Sequence, residues 1–187
     1  MNTSQATDTS KTDAQPLSIR LVNSEWLIGM PGHGDALETT QGAQAWLQAE
    51  GLTFGRAGIK AVRAALIETR TAMRRVLDNR DDPRARRALN DVLERGSSVR
   101  KLGANGIEET IQIEDAWRPA WLAAQDLLEQ LLHVPGRIRR CENPRCTMYF
   151  VDMTKNNTRR WHDMSTCGNQ AKASRHYQRS RVGEPSR

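Results

Sequence analysis

The sequence lacks any run approaching the ~20 consecutive apolar residues that a membrane span needs. Its opening stretch, MNTSQATDTSKTDAQP, also lacks the apolar segment of a secretory signal. Both absences lead to the expectation of a soluble, cytoplasmic protein. At 187 residues and 37% hydrophobic content, the chain has room for one ordinary domain or two small ones and excludes a large multi-domain enzyme. Cysteine is scarce, with three in all, and an odd count without a secretory signal argues against a disulfide framework. Serine elbow, phosphate loop and two-histidine metal motif are all missing. The segment Gly32-His33-Gly34-Asp35 pairs one His with one Asp, but a glycine-rich stretch of that kind is more often a turn than a catalytic site, and no enzyme is expected.

What is present is unevenly spread. Residues 136–187 hold twelve Lys/Arg against four Asp/Glu, a net of +8, which leaves residues 1–135 at −2. A single strongly basic segment suits a phosphate-rich partner, although an anionic membrane surface or an acidic protein would be attracted too. All three cysteines, Cys141, Cys146 and Cys167, lie in that same quarter.

Along the chain, residues 1–16 carry almost no large apolar side chain and are expected to form a disordered arm. Leu17, Ile19 and Leu21 alternate with Ser18 and Arg20, the period of a short strand, before the breakers Pro31, Gly32 and Gly34. Thr39 or Thr40 can cap a helix carrying Ala43, Trp46 and Leu47 and ending at Gly51. Arg56 to Asn79 repeats Ile59, Val62, Leu66, Met73 and Val76 at helical steps, and Asp82-Pro83 opens another helix through Leu89 and Val92. Residues 97–113 are ambiguous, with an IQI run compatible with a strand. Asp115 and Pro119 open a last long helix whose Trp117, Trp121, Leu122, Ala124, Leu127, Leu128, Leu131 and Leu132 make a broad apolar face ended by Pro135-Gly136. The architecture predicted is mainly α: a helical domain at 17–135, then a small module at 137–181 built from a knuckle, a β-hairpin and a short helix, with a tail at 182–187.

The module is defined by ligand spacing. Cys141 and Cys146 have four residues between them, as do His162 and Cys167, with fifteen separating the pairs. Two close pairs joined by a longer loop suit a tetrahedral Zn2+, and three soft thiolates with one imidazole match its preferences. Four protein ligands leave no open position for a reactive water, so such a site is structural. Its binding free energy, ~10–16 kcal/mol in zinc-finger peptides, can hold together a module whose large apolar residues are mainly Met148, Tyr149, Phe150, Val151 and Trp161. His176 is the rival fourth ligand, and His162 is preferred because its spacing to Cys167 mirrors the first pair. Between the pairs, MYFVD reads as a strand, KNN as a turn and TRRW as the returning strand. After Cys167, Gly168 and Asn169 lead into a short helix.

On that helix Lys172, Arg175, His176 and Arg179 fall at i, i+3, i+4 and i+7, a basic stripe along one face, with Arg159 and Arg160 on the hairpin as a second contact line. This pattern suits DNA: the stripe meets phosphates while Arg or His reaches base edges. The bland alternative is a solvated basic helix, and such helices also meet membranes or acidic partners.

These residues also resemble the CGNR-type zinc-finger proteins, in which a helical ABATE domain precedes a C-terminal finger. The resemblance rests on the Cys141-Glu-Asn-Pro-Arg-Cys146 knuckle, Phe150 and Asp152, the Asn157–Trp161 run, and Cys167, Gly168, Asn169, Ala171 and Lys172. Upstream, Leu21-Val22-Asn23 and the Trp46-Leu47 and Gly51-Leu52 pairs look like the opening of an ABATE domain. The resemblance implies a bacterial, stress-related transcriptional regulator whose finger binds DNA. Two positions depart from the family pattern: His162 stands where cysteine is usual, which makes the site less anionic, and Gln170 stands where arginine is usual, which removes a positive charge at the start of the helix. A zinc-dependent DNA-binding regulator follows, its helical domain sensing a signal or dimerising so that a homodimer reads two half-sites. The competing expectation is a zinc-stabilised module that docks on RNA or a protein.

Overall fold

A computed structural model describes residues 15–28 and 32–182, apart from some side chains beside the gap and from residue 175 onward. The expected arm at 1–16 therefore lies outside the described residues except for Gln15 and Pro16, and the tail except for Val182. The order is α1 (Leu17–Val22), β1 (Glu25–Ile28), β2 (Gly32–Asp35), α2 (Thr40–Ala49), α3 (Ile59–Asp78), α4 (Pro83–Leu93), β3 (Gly96–Gly103), β4 (Gly106–Ile113), α5 (Arg118–His133), β5 (Ile138–Arg140), β6 (Tyr149–Val151), a π-helical turn (Met164–Gly168) and α6 (Asn169–Val182). Among the described residues the strands form three separate two-stranded antiparallel sheets. None of the described helices is long and apolar enough to cross a membrane.

The core lies where α1, α3 and α5 meet, with α2 and α4 closing its sides. The alternation at Leu17–Leu21 is not a strand. Ser18, Ile19, Leu21 and Val22 are all buried, at offsets of one, three and four residues, which is the period of a helix face. Pro16 precedes this helix, and the Ser18 backbone N–H donates to the Asp126 carboxylate on α5 at 2.8 Å. The strand begins instead at Glu25, and Gly32 and Gly34, expected as breakers, lie within β2 opposite Ile28 and Trp26.

Side chains cap the starts of α2 and α4. Thr39 caps α2 by accepting from the Gly42 N–H at 3.0 Å, Asp82 caps α4 by accepting from Arg84, and Pro83 occupies the first turn. Asp115 does not cap α5: its carboxylate accepts from the Arg56 N–H at 2.9 Å, and α5 starts after Trp117 without a side-chain cap. The buried stripe of α5 is rich in small residues, with Ala120, Ala123 and Ala124 beside Trp121 and Leu127, while Leu128 and Leu132 are exposed. The broad leucine face therefore enters the core only in part.

The β1–β2 hairpin is held to α3 by arginines. Arg70, only 5% exposed, grips Asp35 through both oxygens at 2.6 and 2.9 Å and also donates to Ser24 Oγ at 2.9 Å. Burial alone would raise the Asp35 carboxyl, but the Arg70 hydrogen bonds, with the Leu37 N–H, hold it below its ordinary value. Arg74 donates to the carbonyls of Val22 and Glu25, and Arg63 to those of Leu37 and Glu38. Asp35 is thus occupied in fixing the fold, and His33 is exposed.

Residues 97–113, ambiguous in sequence, form a continuous hairpin of two eight-residue strands in unbroken register from Gly96↔Ile113 to Gly103↔Gly106.

Candidate metal centre

The centre is assembled from three short segments. The first follows β5, where the Cys141 N–H donates to the Met148 carbonyl at 2.9 Å. Asn143 then turns the chain: its Oδ1 accepts from the Arg145 N–H at 3.0 Å and its carbonyl from the Cys146 N–H at 2.9 Å, so the loop bends and brings Cys146 back beside Cys141. The second segment delivers His162, whose Nδ1 lies 3.4 Å from Cys146 Sγ. The third is the π-helical turn carrying Cys167, capped by Asp163, whose Oδ1 accepts from the Thr166 N–H at 2.7 Å and from the hydroxyls of Ser165 and Thr166. These hydrogen bonds hold the Asp163 carboxyl down to about 2.

The ligand atoms of Cys141, Cys146, His162 and Cys167 all lie within 4.8 Å of one another, and the three cysteines are buried. A zinc ion with bonds of about 2.0–2.3 Å spaces tetrahedral donors ~3.5–3.8 Å apart, so small side-chain adjustments seat one ion. The charge chemistry agrees. The side-chain hydrogen bond between Cys141 and Cys146 pulls the Cys141 thiol down and pushes the Cys146 thiol up. Burial pushes the Cys167 thiol up as well. Packed thiols that compete for protons are relieved when a cation replaces those protons.

Residues outside the ligand set hold the frame, a role the sequence reading did not give them. Asp152 is fully buried. Burial would raise its carboxyl, but bonds from the Thr154 N–H and Oγ1 and from the Arg159 N–H at 2.8 Å, with Arg139 at 3.8 Å, keep it below its ordinary value and fix the 154–159 loop. Gln170 accepts from Asn143 Nδ2 at 2.9 Å, tying the first turn of α6 to the knuckle. An arginine there could not accept that bond. Asx-turn and N-cap propensities were the available signals for Asn143 and Asp163; the burial of Asp152 had none.

The hairpin differs from expectation. β6 pairs with β5, Ile138↔Val151 through Arg140↔Tyr149, and Thr158–Trp161 forms no strand. Arg159 faces inward, donating to the carbonyls of Trp161 and His162, with its guanidinium 5.1 Å from the Phe150 ring. Arg160 pairs with Glu142 at 2.5 Å and lies over the Trp161 ring. Both arginines therefore help to shape the loop that delivers His162. Lys172 is exposed on α6, whereas the side chains of Arg175, His176 and Arg179 lie outside the described residues.

The sequence also resembles known families over most of its length. Residues 15–135 match the ABATE family, described as "Putative stress-induced transcription regulator". The chain belongs to the ABATE family. Residues 137–180 match the CGNR zinc finger, so this ABATE protein carries the finger directly after its helical domain. No curated protein matches the chain.

In this ABATE protein the finger is not a freely tethered module. Tyr149 and Val151 belong to the main core with Ile138, and the outer edge of β6 is closed by side chains of the helical part. Asn23 donates to the Tyr149 carbonyl at 2.8 Å and accepts from its N–H at 2.9 Å, and Gln15 Oε1 accepts from the Val151 N–H at 2.7 Å. The Tyr149 hydroxyl donates to Asp78 at the end of α3, and burial together with that carboxylate pushes the phenol's pKa up. Arg140 lies 3.6 Å from the same carboxylate.

Proposed function

We propose that this ABATE protein is a zinc-dependent DNA-binding transcriptional regulator, with α6 meeting DNA. The observation that carries the reading is the continuity of the Cys167 turn with α6: a helix with Lys172, Arg175, His176 and Arg179 at one-face spacing starts two residues after a ligand and is tied to the knuckle through Gln170. Cys141, Cys146, His162 and Cys167 hold Zn2+, which supplies a structural clamp. The chain's own residues do the rest. Asp163 caps the ligand turn, Asn143 orients both the knuckle and α6, and the basic stripe neutralises phosphates. Four protein ligands support a structural rather than catalytic role.

Arg159 and Arg160 enter this proposal as loop-shaping residues, with any phosphate contact secondary to their internal bonds. That commitment favours one alternative, a zinc-stabilised module that docks on RNA or a protein, because it leaves the finger fewer free cations for duplex DNA.

The test begins with zinc stoichiometry of the purified chain, followed by selection from random duplex DNA at near-physiological salt. Alanine at Arg175 and Arg179 is expected to weaken binding of the selected sites and to lower the salt slope by nearly one per lost phosphate contact. An unchanged affinity and slope refute the assignment of the stripe. Recovery of an RNA or protein partner, with no salt-sensitive DNA affinity, supports the alternative.

A further inference from the structure

The two ring nitrogens of His162 are not equivalent in this centre. In a neutral imidazole one nitrogen offers a lone pair and the other carries the proton, so whichever binds a cation leaves its counterpart as an N–H donor. The choice of ligand atom therefore decides what the finger shows on the outside of its metal centre.

The geometry favours Nδ1. It lies 3.4 Å from Cys146 Sγ, within ~0.2 Å of the ~3.5 Å that a tetrahedral zinc ion sets between a nitrogen and a sulfur ligand. The ring also acts on Cys141, so its inner edge meets two of the thiols. The main chain of His162 is held against the same cluster. Its N–H donates to the Cys141 sulfur, and its carbonyl accepts from the Arg159 guanidinium. Arg159 is itself fixed, its own N–H donating to Asp152 at 2.8 Å and its Nε to the Trp161 carbonyl at 2.9 Å. On the other side, Asp163 caps the turn that carries Cys167. A backbone pinned this close leaves a short span to the ion. Nδ1, two bonds from Cβ, suits a short span, whereas Nε2, three bonds from Cβ and across the ring, needs the main chain farther away.

The outer nitrogen is then left over. Metal-ligating histidines usually donate their second N–H to a protein carboxylate or carbonyl. Among the described residues no hydrogen bond engages Nε2. His162 is half-buried while the three cysteines are buried, and both of its backbone groups are bonded inward, so its exposed part is the outer edge of the ring. We propose that His162 holds the metal through Nδ1 and carries Nε2–H outward, a hydrogen-bond donor fixed on the metal's own ligand and open to water or to an acceptor oxygen of a bound partner. Thiolate ligands have no such donor to give. The inference rests on the zinc reading above and is tested without DNA.

The experiment loads the full chain with a spin-active cadmium isotope in place of zinc and reads the through-bond couplings between metal and ring protons by NMR. A metal on Nδ1 lies three bonds from Hε1 alone, whereas a metal on Nε2 lies three bonds from both Hε1 and Hδ2. Coupling to Hε1 without Hδ2 is expected, and in the zinc-loaded chain long-range proton–nitrogen correlations are expected to place the ring proton on Nε2. His162→Cys keeps four ligands, so it is expected to take up one metal per chain and to lose the coupled ring. His176→Gln is expected to leave the coupled ring unchanged, and it carries the assignment if His162→Cys fails to fold. Coupling to both ring protons, a coupled ring that survives His162→Cys or vanishes in His176→Gln, or a loaded chain with no coupled ring would each overturn the proposal while leaving the zinc reading intact. A chain that takes up neither zinc nor cadmium would refute that reading and the proposal with it.

Discussion

Replacing Asn23 by alanine tests how the helical part holds the finger. The Asn23 amide serves as a one-residue strand, satisfying both backbone groups of Tyr149 at 2.8 and 2.9 Å on an edge that no other strand covers among the described residues. Tyr149 is 5% exposed, so water has little access to replace those bonds. Two lost hydrogen bonds cost about 0.5–1.5 kcal/mol each, and a buried group left unsatisfied costs about 1–3 kcal/mol. Partial relaxation places the expected loss at about 2–4 kcal/mol. For a chain of this size, that lowers the Tm by about 4–16 °C. The assay is thermal unfolding of the zinc-loaded chain, followed together by far-ultraviolet circular dichroism and by a zinc-sensitive dye. Because β6 lies in the main core and Cys141 and Cys146 sit just before it, metal release and loss of helix are expected to coincide in the wild type and to shift down together in the variant. A change below ~0.5 kcal/mol, the range of an ordinary surface substitution, would refute the bridge. Two well-separated wild-type transitions would refute the shared core.

Asp35→Asn leaves Arg70 buried without its bidentate carboxylate and is expected to cost about 3 kcal/mol near neutral pH, measured by urea unfolding. The Asp35 carboxyl is held below its ordinary value, so its contribution is fully present above the ordinary value and is lost as pH falls through the lowered value of the folded state. The stability gap between wild type and variant should therefore narrow towards and below about pH 3.9, and a gap that widens in acid would contradict the assignment. Gly96→Ala places a methyl group about 3.0 Å from the Trp121 ring, whose indole N–H is tied to the Leu93 carbonyl at 2.9 Å. Overpacking there is expected to cost about 1–3 kcal/mol, and a neutral result in the same unfolding assay would show that the ring yields.

Much of the site was legible from residue types and spacing, because the chemistry was local. Paired Cys/Cys and His/Cys intervals pointed to one cluster, and all four ligand atoms converge. The capping residues Thr39 and Asp82 and the long amphipathic α3 were equally readable, since each depends on contacts within a few residues. The misreadings all involved a choice between partners distant in sequence. The alternation at Leu17–Leu21 concealed a short helix whose one buried face takes in Ser18 and Val22 with Ile19 and Leu21, against α3 and α5. Asp115 looked like a helix cap and instead binds the Arg56 N–H, 59 residues earlier. MYFVD was read correctly as strand-forming but given the wrong partner, because local turn signals cannot weigh a downstream TRRW against an upstream Ile138–Arg140.

The sequence alone determined that three thiols and one imidazole at ligand spacing sit in a basic segment behind a helical domain. Those properties follow from composition, periodicity and ligand interval. Only the tertiary structure decided that the finger shares its core with the helices, that Arg159 and Arg160 turn inward or pair with Glu142, and that a bare ribbon stands out from the body. The physical reason is that burial and pairing depend on which surfaces meet across long stretches of chain. A residue's own neighbours in sequence do not carry that information.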